Sequence, residues 1–270
     1  MPNDLEGTEL TTAFKGKTQT FHVLATDTLS LNDLFHVTAS ARYNRTEVKN
    51  TDQLYLSGAK DFNSGGNHLF QRINPSLGLT FTPNEKVTMF GSYSESSRAP
   101  SAIELGCSDP ENPCLLPNAM ASDPPLKQVV AKTYDFGLRG KLPYDIKWSA
   151  SVYEAVNHND IQFQYTSLET NSSAGYFHNV GRTKRQGLDL SLGGNINKFT
   201  WSTSYSYIKA TYDSSFEVAS EANSSKVTNE IFVNKGDYIP GIPKHQFKLR
   251  AQYQMTPEWT IGTNIAAFSD

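Results

Sequence analysis

The 270-residue sequence predicts an all-β chain, an antiparallel up-and-down transmembrane β-barrel segment of about ten strands. Three observations lead there: apolar and polar residues alternate with a period of two along most of the chain, the connections alternate between short and long, and no run of ~20 apolar residues, as a spanning helix requires, occurs anywhere. Hydrophobic residues make up only 37% of the chain and mean hydropathy is −0.48, so the apolar side chains are arranged rather than abundant. The 11% of aromatic residues argues against a disordered chain, and a formal charge of −3 gives no basic footprint for nucleic acid.

Strands are expected at roughly 11–25, 32–44, 68–82, 86–97, 127–141, 145–157, 176–193, 198–212, 237–254 and 258–268. From Gln246 to Gln254 every odd position is apolar or aromatic and every even one polar, which gives a pleated strand two opposite faces. Ile73, Pro75, Leu77, Leu79 and Phe81 oppose Arg72, Asn74, Ser76, Gly78 and Thr80 in the same way. Phe199, Trp201, Thr203, Tyr205 and Tyr207 oppose four serines and threonines; Tyr134, Phe136 and Leu138 oppose Asp135, Gly137 and Arg139; Leu188, Leu190 and Leu192 oppose Asp189, Ser191 and Gly193. Lys132 and Glu154 break the pattern and are expected at the rim, where a charge costs little beside the ~2–4 kcal/mol of a midplane Arg or Lys.

The connections are short at Asp27–Asp33, Pro83–Glu85, Leu142–Tyr144, Gly194–Asn197 and Thr256–Pro257, and long at Arg45–Asn67, Arg98–Leu126, His158–Gly175 and Asp213–Gly236. A meander sorted in this way carries all its tight turns at one end and its large loops at the other, as outer-membrane barrels do. Trp148, Trp201, Trp259, Tyr207 and Phe81 lie near strand ends, where interfacial girdles belong. A soluble, secreted glycan-binding β-sandwich is the rival reading, but its strands are usually 5–6 residues long and its loops are not sorted by length. A passive porin-like channel is the other.

Cys107 and Cys114 flank Ser-Asp-Pro-Glu-Asn-Pro, a spacing suited to a disulfide in an oxidising compartment; two unpaired thiols are the alternative, and no further ligands stand at a metal-site spacing. The N-terminus lacks a secretory leader, which fits a piece of a longer exported protein. The last strand stops at Phe268-Ser269-Asp270, and an open sheet in lipid would leave edge groups unpaired, so a fragment of a bigger barrel is expected.

Four segments carry a resemblance. Tyr93-Ser94-Glu95-Ser96-Ser97-Arg98-Ala99-Pro100-Ser101-Ala102-Ile103-Glu104-Leu105, the stretch from Cys107 to Ala119 with Asp123 to Val130, the run Asn179 to Leu190, and Ile239-Pro240-Gly241-Ile242-Pro243-Lys244-His245-Gln246 together resemble the barrel of TonB-dependent outer-membrane receptors, over about residue 67 to the end. The resemblance implies a 22-stranded, plugged barrel in the outer membrane of a Gram-negative bacterium, of which residues 1–270 are a part without plug, TonB segment or C-terminal strands. It implies energised uptake of a scarce, bulky ligand such as a ferric siderophore, haem or cobalamin. The partners would be outer-membrane lipid, TonB through the missing plug, and the ligand, with no resident cofactor.

Inward polar positions and long loops would meet that ligand. The strand residues are Arg72, Asn74, Arg98, Asp135, Arg139, Arg185 and Asp189; the plain alternative is that they pair with one another or with the plug. His158, Asn159, Asp160 and Tyr165 in one loop, with His68 and His178 at strand mouths, are groups able to ligate haem or a polar iron chelate, although lone histidines are usually only solvated. Enzyme signatures fail: there is no His-Glu-x-x-His, Gly-x-Ser-x-Gly, phosphate-binding Gly-Lys-Ser/Thr or Cys-x-x-Cys.

Overall fold

The structure is a computed structural model that describes residues 13–59, 63, 65–108, 114–115, 126–165, 174–219, 224–225, 227 and 230–269. In chain order its elements are β1 (Phe14–Ser30), β2 (Phe35–Asp52), α1 (Gln53–Leu56), β3 (Asn67–Asn84), β4 (Val87–Arg98), α2 (Ala102–Leu105), β5 (Cys114–Leu115), β6 (Val129–Leu142), β7 (Ile146–His158) and β8 (Ile161–Tyr165). They continue with β9 (Ala174–Asn179), β10 (Arg182–Ile196), β11 (Phe199–Tyr212), β12 (Phe216–Ala219), β13 (Glu230–Val233), β14 (His245–Gln254) and β15 (Thr260–Ser269). Ten of the strands form one sheet in the order β1-β2-β3-β4-β6-β7-β10-β11-β14-β15, every neighbour antiparallel and next along the meander. The two packed layers of a sandwich are absent among the described residues.

Each tight turn is made locally. Asn32 Oδ1 accepts from the Leu34 and Phe35 amides, both at 2.9 Å, and Asn84 Oδ1 accepts from those of Lys86 and Val87 at 2.9 and 3.1 Å. Asn197 adopts φ 54 between β10 and β11, and Tyr144 and Asp145 adopt φ 65 and 54 between β6 and β7. Asn tolerates this left-handed region better than most residues because its side chain bonds locally. The long connections, with α1, α2 and the five short strands, all lie at the opposite end, as the loop lengths require.

Residues opposite one another in a ladder share a face, so the registers trace each face across the whole sheet. One row runs Met89, Leu138, Ala150, Leu190, Tyr205, Phe247 and Ala267; the next towards the turns runs Val87, Gly140, Trp148, Leu192, Thr203, Leu249 and Ile265. On the first strands Val23, Tyr43 and Ile73, and Leu29, Val37 and Leu79, continue this face. Phe136, Val152 and Ile265 on it are 52%, 51% and 50% exposed, which in water would leave a large apolar surface uncovered. The other face carries Ser92, Asp135, Tyr153, Gly187 and Ile208 in one row and Arg139, Ser149, Ser191, Ser204 and Lys248 in another. The apolar face is therefore the lipid side and the polar face the lumen wall. Gly137 and Gly187 on the lumen side make room for the rings of Phe90 and Tyr153, which lie over them.

Aromatics bound the apolar face at both ends. Phe35 stacks on Phe81 at 4.5 Å near the turns, where Trp148, Trp201, Phe199 and Tyr253 also stand, and Tyr93 meets Tyr134 at 5.0 Å near the loops. From Phe199 to Lys209 along β11, at ~3.3 Å per residue and a tilt of ~40°, the rise is about 25 Å, the height of the lipid-facing band of an outer-membrane barrel. Glu154 stands on the outer face at the upper edge of this band, opposite Tyr134, and Lys132 one row above it. Glu154 takes Lys184 at 2.9 Å and Gln186 at 2.7 Å, and Lys132 lies 3.7 Å from Glu95.

The strand bounds differ from the sequence expectation at several places, the first being β1, which runs on to Ser30 through residues expected in the turn. β2 runs on to Asp52, the expected strand 176–193 is broken into β9 and β10 at Gly181 (φ 91), and β14 begins only at His245. The buried core is small and sits at the loop end, where Val48, Leu105, Leu126, Val129 and Ile161 pack with Phe70, Ala102 and Phe177. Cysteines introduced singly at Leu190 and Ser191, in the protein in its membrane, are expected to react oppositely: a lipid-confined maleimide labels Leu190→Cys and a water-confined one labels Ser191→Cys. Equal labelling of both by the lipid reagent would contradict the face assignment.

Candidate functional site

The inner wall at the loop end holds a cavity of about 430 Å³. Thr18, Thr20, Arg42, Asn44, Thr46 and Phe70 line it from β1, β2 and β3, all in the register of the lumen face, and Arg98–Ser101 and Gln128 close it from the two ends of the long connection between β4 and β6. Arg42 Nε donates to Asn44 Oδ1 at 2.9 Å, which holds the guanidinium along the wall. Arg98 donates to Glu104 at 2.7 Å and keeps half its side chain exposed. Among the described residues none that lines it carries a carboxylate.

The loop behind this cavity is fixed by a capping box. Ser101 Oγ accepts from the Glu104 amide and Glu104 accepts from the Ser101 amide at 2.7 Å, which satisfies the orphan donors of the one-turn helix α2. Burial pushes the Glu104 carboxyl up, but hydrogen bonds from Arg98 and Ser101 outweigh it and hold the group below its ordinary range. Leu105, fully buried, anchors α2 in the core, and Asn50 Nδ2 donates to Ala102 O at 2.9 Å. A second loop joins the first through the small sheet β5-β9-β8.

The residues singled out in the sequence fall into separate places. Arg98 lines the cavity. Arg72 bonds Glu95 at 2.5 Å, beyond the last β3–β4 pair at Ser76 and Ser94, and Asn74 donates to Ser97 at 3.0 Å. Asp135, Arg139, Arg185 and Asp189 do face the lumen, lower on the wall; Asp135 Oδ1 is buried without a partner, and Arg185 donates to Thr183 Oγ1 at 3.2 Å. Arg139 stands 5.8 Å from the Phe90 ring and lines a larger cavity of about 990 Å³ near the turns with Lys147, Lys248 and Arg250. His158 shares its row with Val130 and Arg182 on the outer face. Asn159 and Asp160 tie the loop stems: Asn159 O accepts from Asn179 at 2.8 Å, and Asp160 accepts from Thr183 at 2.5 Å. The Tyr165 side chain lies outside the described residues. His178 is packed between Tyr176 and Phe216, its Nε2 buried without a partner. Cys107 is disulfide-bonded, while the Cys114 side chain lies outside the described residues. Arg42, Asn44 and Phe70 were not legible beforehand, because the cavity is assembled by register between strands far apart in sequence.

The family profile described as "TonB dependent receptor-like, beta-barrel" matches residues 2–270. The chain belongs to this TonB-dependent receptor β-barrel family. It is 24% identical over 260 residues to the probable TonB-dependent siderophore receptor PiuA of Acinetobacter baumannii, covering 95% of this chain and 32% of that protein. The alcaligin outer-membrane receptor FauA of Bordetella pertussis is similar in fold, with a TM-score of 0.59 at 17% identity over 96% of this chain and 39% of that one. So is the hemophore receptor HasR of Serratia marcescens, with a TM-score of 0.66 at 12% identity over 94% of this chain and 44% of that one. The chain thus spans about a third of the length of the curated relative it matches. The TonB-dependent receptors are outer-membrane β-barrels of transporter and receptor type, which agrees with the lipid-facing band and lumen wall above. In this setting the long-loop end is the outer mouth, and the cavity beside Arg42 opens there.

Burial holds the His178 imidazole below its ordinary pKa, so between that ordinary value, ~6.5, and the lower folded one the unfolded hairpin binds more protons than the folded one. Its contribution is complete above ~6.5 and is lost as pH falls below that value. Amide exchange of Phe177 and Asn179, corrected for intrinsic rates, is expected to quicken from pH 7.5 to 5.5, and His178→Asn to remove that pH response.

Proposed function

We propose that the chain is a stretch of barrel wall from a TonB-dependent outer-membrane receptor, and that its loop-end cavity receives part of an anionic iron chelate. The single observation that carries this is the placement of two guanidiniums, Arg42 held by Asn44 and Arg98 held from behind by Glu104, among hydroxyl and amide groups in a lumen-side cavity whose described lining residues include no carboxylate. A dehydrated carboxylate, catecholate or phenolate oxygen finds charge-assisted donors there. PiuA, by its name a siderophore receptor, supports the same ligand class. The reading places this wall in a closed barrel of 22 strands, whose plug, TonB-contacting segment and C-terminal strands lie in other parts of the protein. β1 and β15 each pair on one side only among the described residues, and in lipid both edges need partners. The work is energised import through TonB, without catalysis by this segment.

Cys107 and Cys114 are taken to be joined, closing a short loop above the mouth; peptide mass spectrometry without reduction is expected to recover the two in one linked species. The ligand site is tested with the full-length receptor carrying Arg42→Gln and Arg98→Gln, titrated with a ferric tris-catecholate, which is anionic, and a neutral ferric tris-hydroxamate. Hydrogen bonds to charged groups are worth ~1.5–3 kcal/mol each, so the double variant is expected to bind the catecholate more than tenfold more weakly and the hydroxamate little changed. Unaltered catecholate binding would remove the cavity from the ligand path.

A further inference from the structure

Positive charge on the lipid-facing side is confined to one rim. At the turn end the outer row is Phe35, Phe81, Trp148, Ile196, Phe199, Trp201, Tyr253 and Ile261, with no lysine or arginine; Lys141 and Lys147 pair in an inner row, and Lys86 and Lys198 are turn residues. At the loop end the outer face just above the aromatic girdle carries a cluster of bases. Lys184 stands opposite Thr211 and Lys209 opposite Gln186, while the Thr211–Tyr238 bridge brings the Tyr238 ring to the same face. Lys244 Nζ lies 4.7 Å and Lys209 Nζ 5.9 Å from the centre of that one ring.

Neither lysine makes an ion pair among the described residues. The acids nearby are already compensated: Glu154 takes Lys184, and Asp213 takes both Arg182 at 3.2 Å and Lys235 at 2.9 Å. Asp237, next to Tyr238, accepts from the Asn234 amide. Five bases, Arg182, Lys184, Lys209, Lys235 and Lys244, thus face three acids, Glu154, Asp213 and Asp237, on one patch, and none of the three is paired with Lys209 or Lys244. Two uncompensated ammoniums over one ring repel each other, and an anion between them relieves that repulsion. The patch sits where the lipid-facing band ends, so the anion that reaches it is one carried at the membrane surface.

We propose that Lys209, Lys244 and Lys184, with Tyr238 between them, bind the phosphate of a phosphorylated lipid headgroup in the leaflet at the long-loop end. The alkyl stems of the lysines lie along the girdle and the ammoniums reach to headgroup level, while the acyl chains follow the row of Tyr207, Tyr205 and Phe247 below. The absence of the same pattern at the turn end makes the site specific to one leaflet. The inference rests on the outer-membrane placement of the chain and is independent of which ligand the lumen takes.

The test uses the full-length receptor in detergent, titrated with lipid A and with its fully dephosphorylated form, binding being read by native mass spectrometry. The wild type is expected to retain lipid A and not the dephosphorylated form. Lys209→Gln with Lys244→Gln is expected to weaken lipid A binding about fivefold per lysine removed. Lys209→Arg with Lys244→Arg retains binding, which separates a lost charge from a lost fold, and Lys86→Gln with Lys198→Gln, at the other rim, changes nothing. Equal binding of the phosphorylated and dephosphorylated lipids, an unaltered affinity in the glutamine pair, or inorganic phosphate alone binding as tightly as lipid A would each overturn the proposal.

Discussion

A backbone N–H or C=O without a partner costs several kcal/mol in hydrocarbon, and the rest of this structure depends on that constraint. Only a continuous ladder from strand to strand meets it, and here the ladder runs through ten strands without a crossover. Once each strand is paired on both sides, side chains have two directions left, lipid or lumen. A slip of one residue in any register would exchange them all. Keeping Leu138, Ala150, Leu190 and Tyr205 in one row is therefore a condition on β6, β7, β10 and β11 together. The alternation of the sequence is the record of that condition.

The same reasoning explains which parts of the fold could be read in advance. Between the two girdles one face is lipid and the other polar, so Gln246 to Gln254 or Phe199 to Tyr207 show their period plainly. Above the upper girdle both faces are wet and the contrast fades, although the ladder continues. Arg45-Thr46-Glu47-Val48-Lys49-Asn50 thus reads as loop and yet pairs residue by residue with β1, Lys17 opposite Lys49 among them. The run from Tyr176 to Leu192 alternates well enough to read as one strand. Gly181, at φ 91, breaks it, and β9 turns away to join the loop sheet.

The functional surface was legible in a different measure. Arg98, Asp135, Arg139, Arg185 and Asp189 face the lumen because facing is a local property of the pleat. Which of them share a cavity is not local. Arg42 meets Arg98 only through the pairing of β1, β2 and β3 and the return of the loop over them, and nothing in the sequence near Arg42 announces it. Sequence proximity misleads in the opposite direction at His158, Asn159 and Asp160. The pleat sends His158 outward, and the other two are absorbed in tying Asn179 and Thr183 to the loop stem.

The loops are not loose attachments to the wall. Glu104 serves α2 as a cap and Arg98 as a counter-ion at once, so the position of Arg98 over the cavity is set by the same carboxylate that starts the helix. Leu105 then places that helix in the core formed by Val48, Leu126, Val129 and Ile161, which joins the upper parts of β2 and β6 to the loops. A ligand that draws Arg98 away from Glu104 would leave a half-buried carboxylate facing only the Ser101 amide and hydroxyl. The cost of that exchange falls on α2 and, through Leu105, on the core beneath the mouth. Binding at this wall and the packing of the loops above it are in this way one equilibrium rather than two.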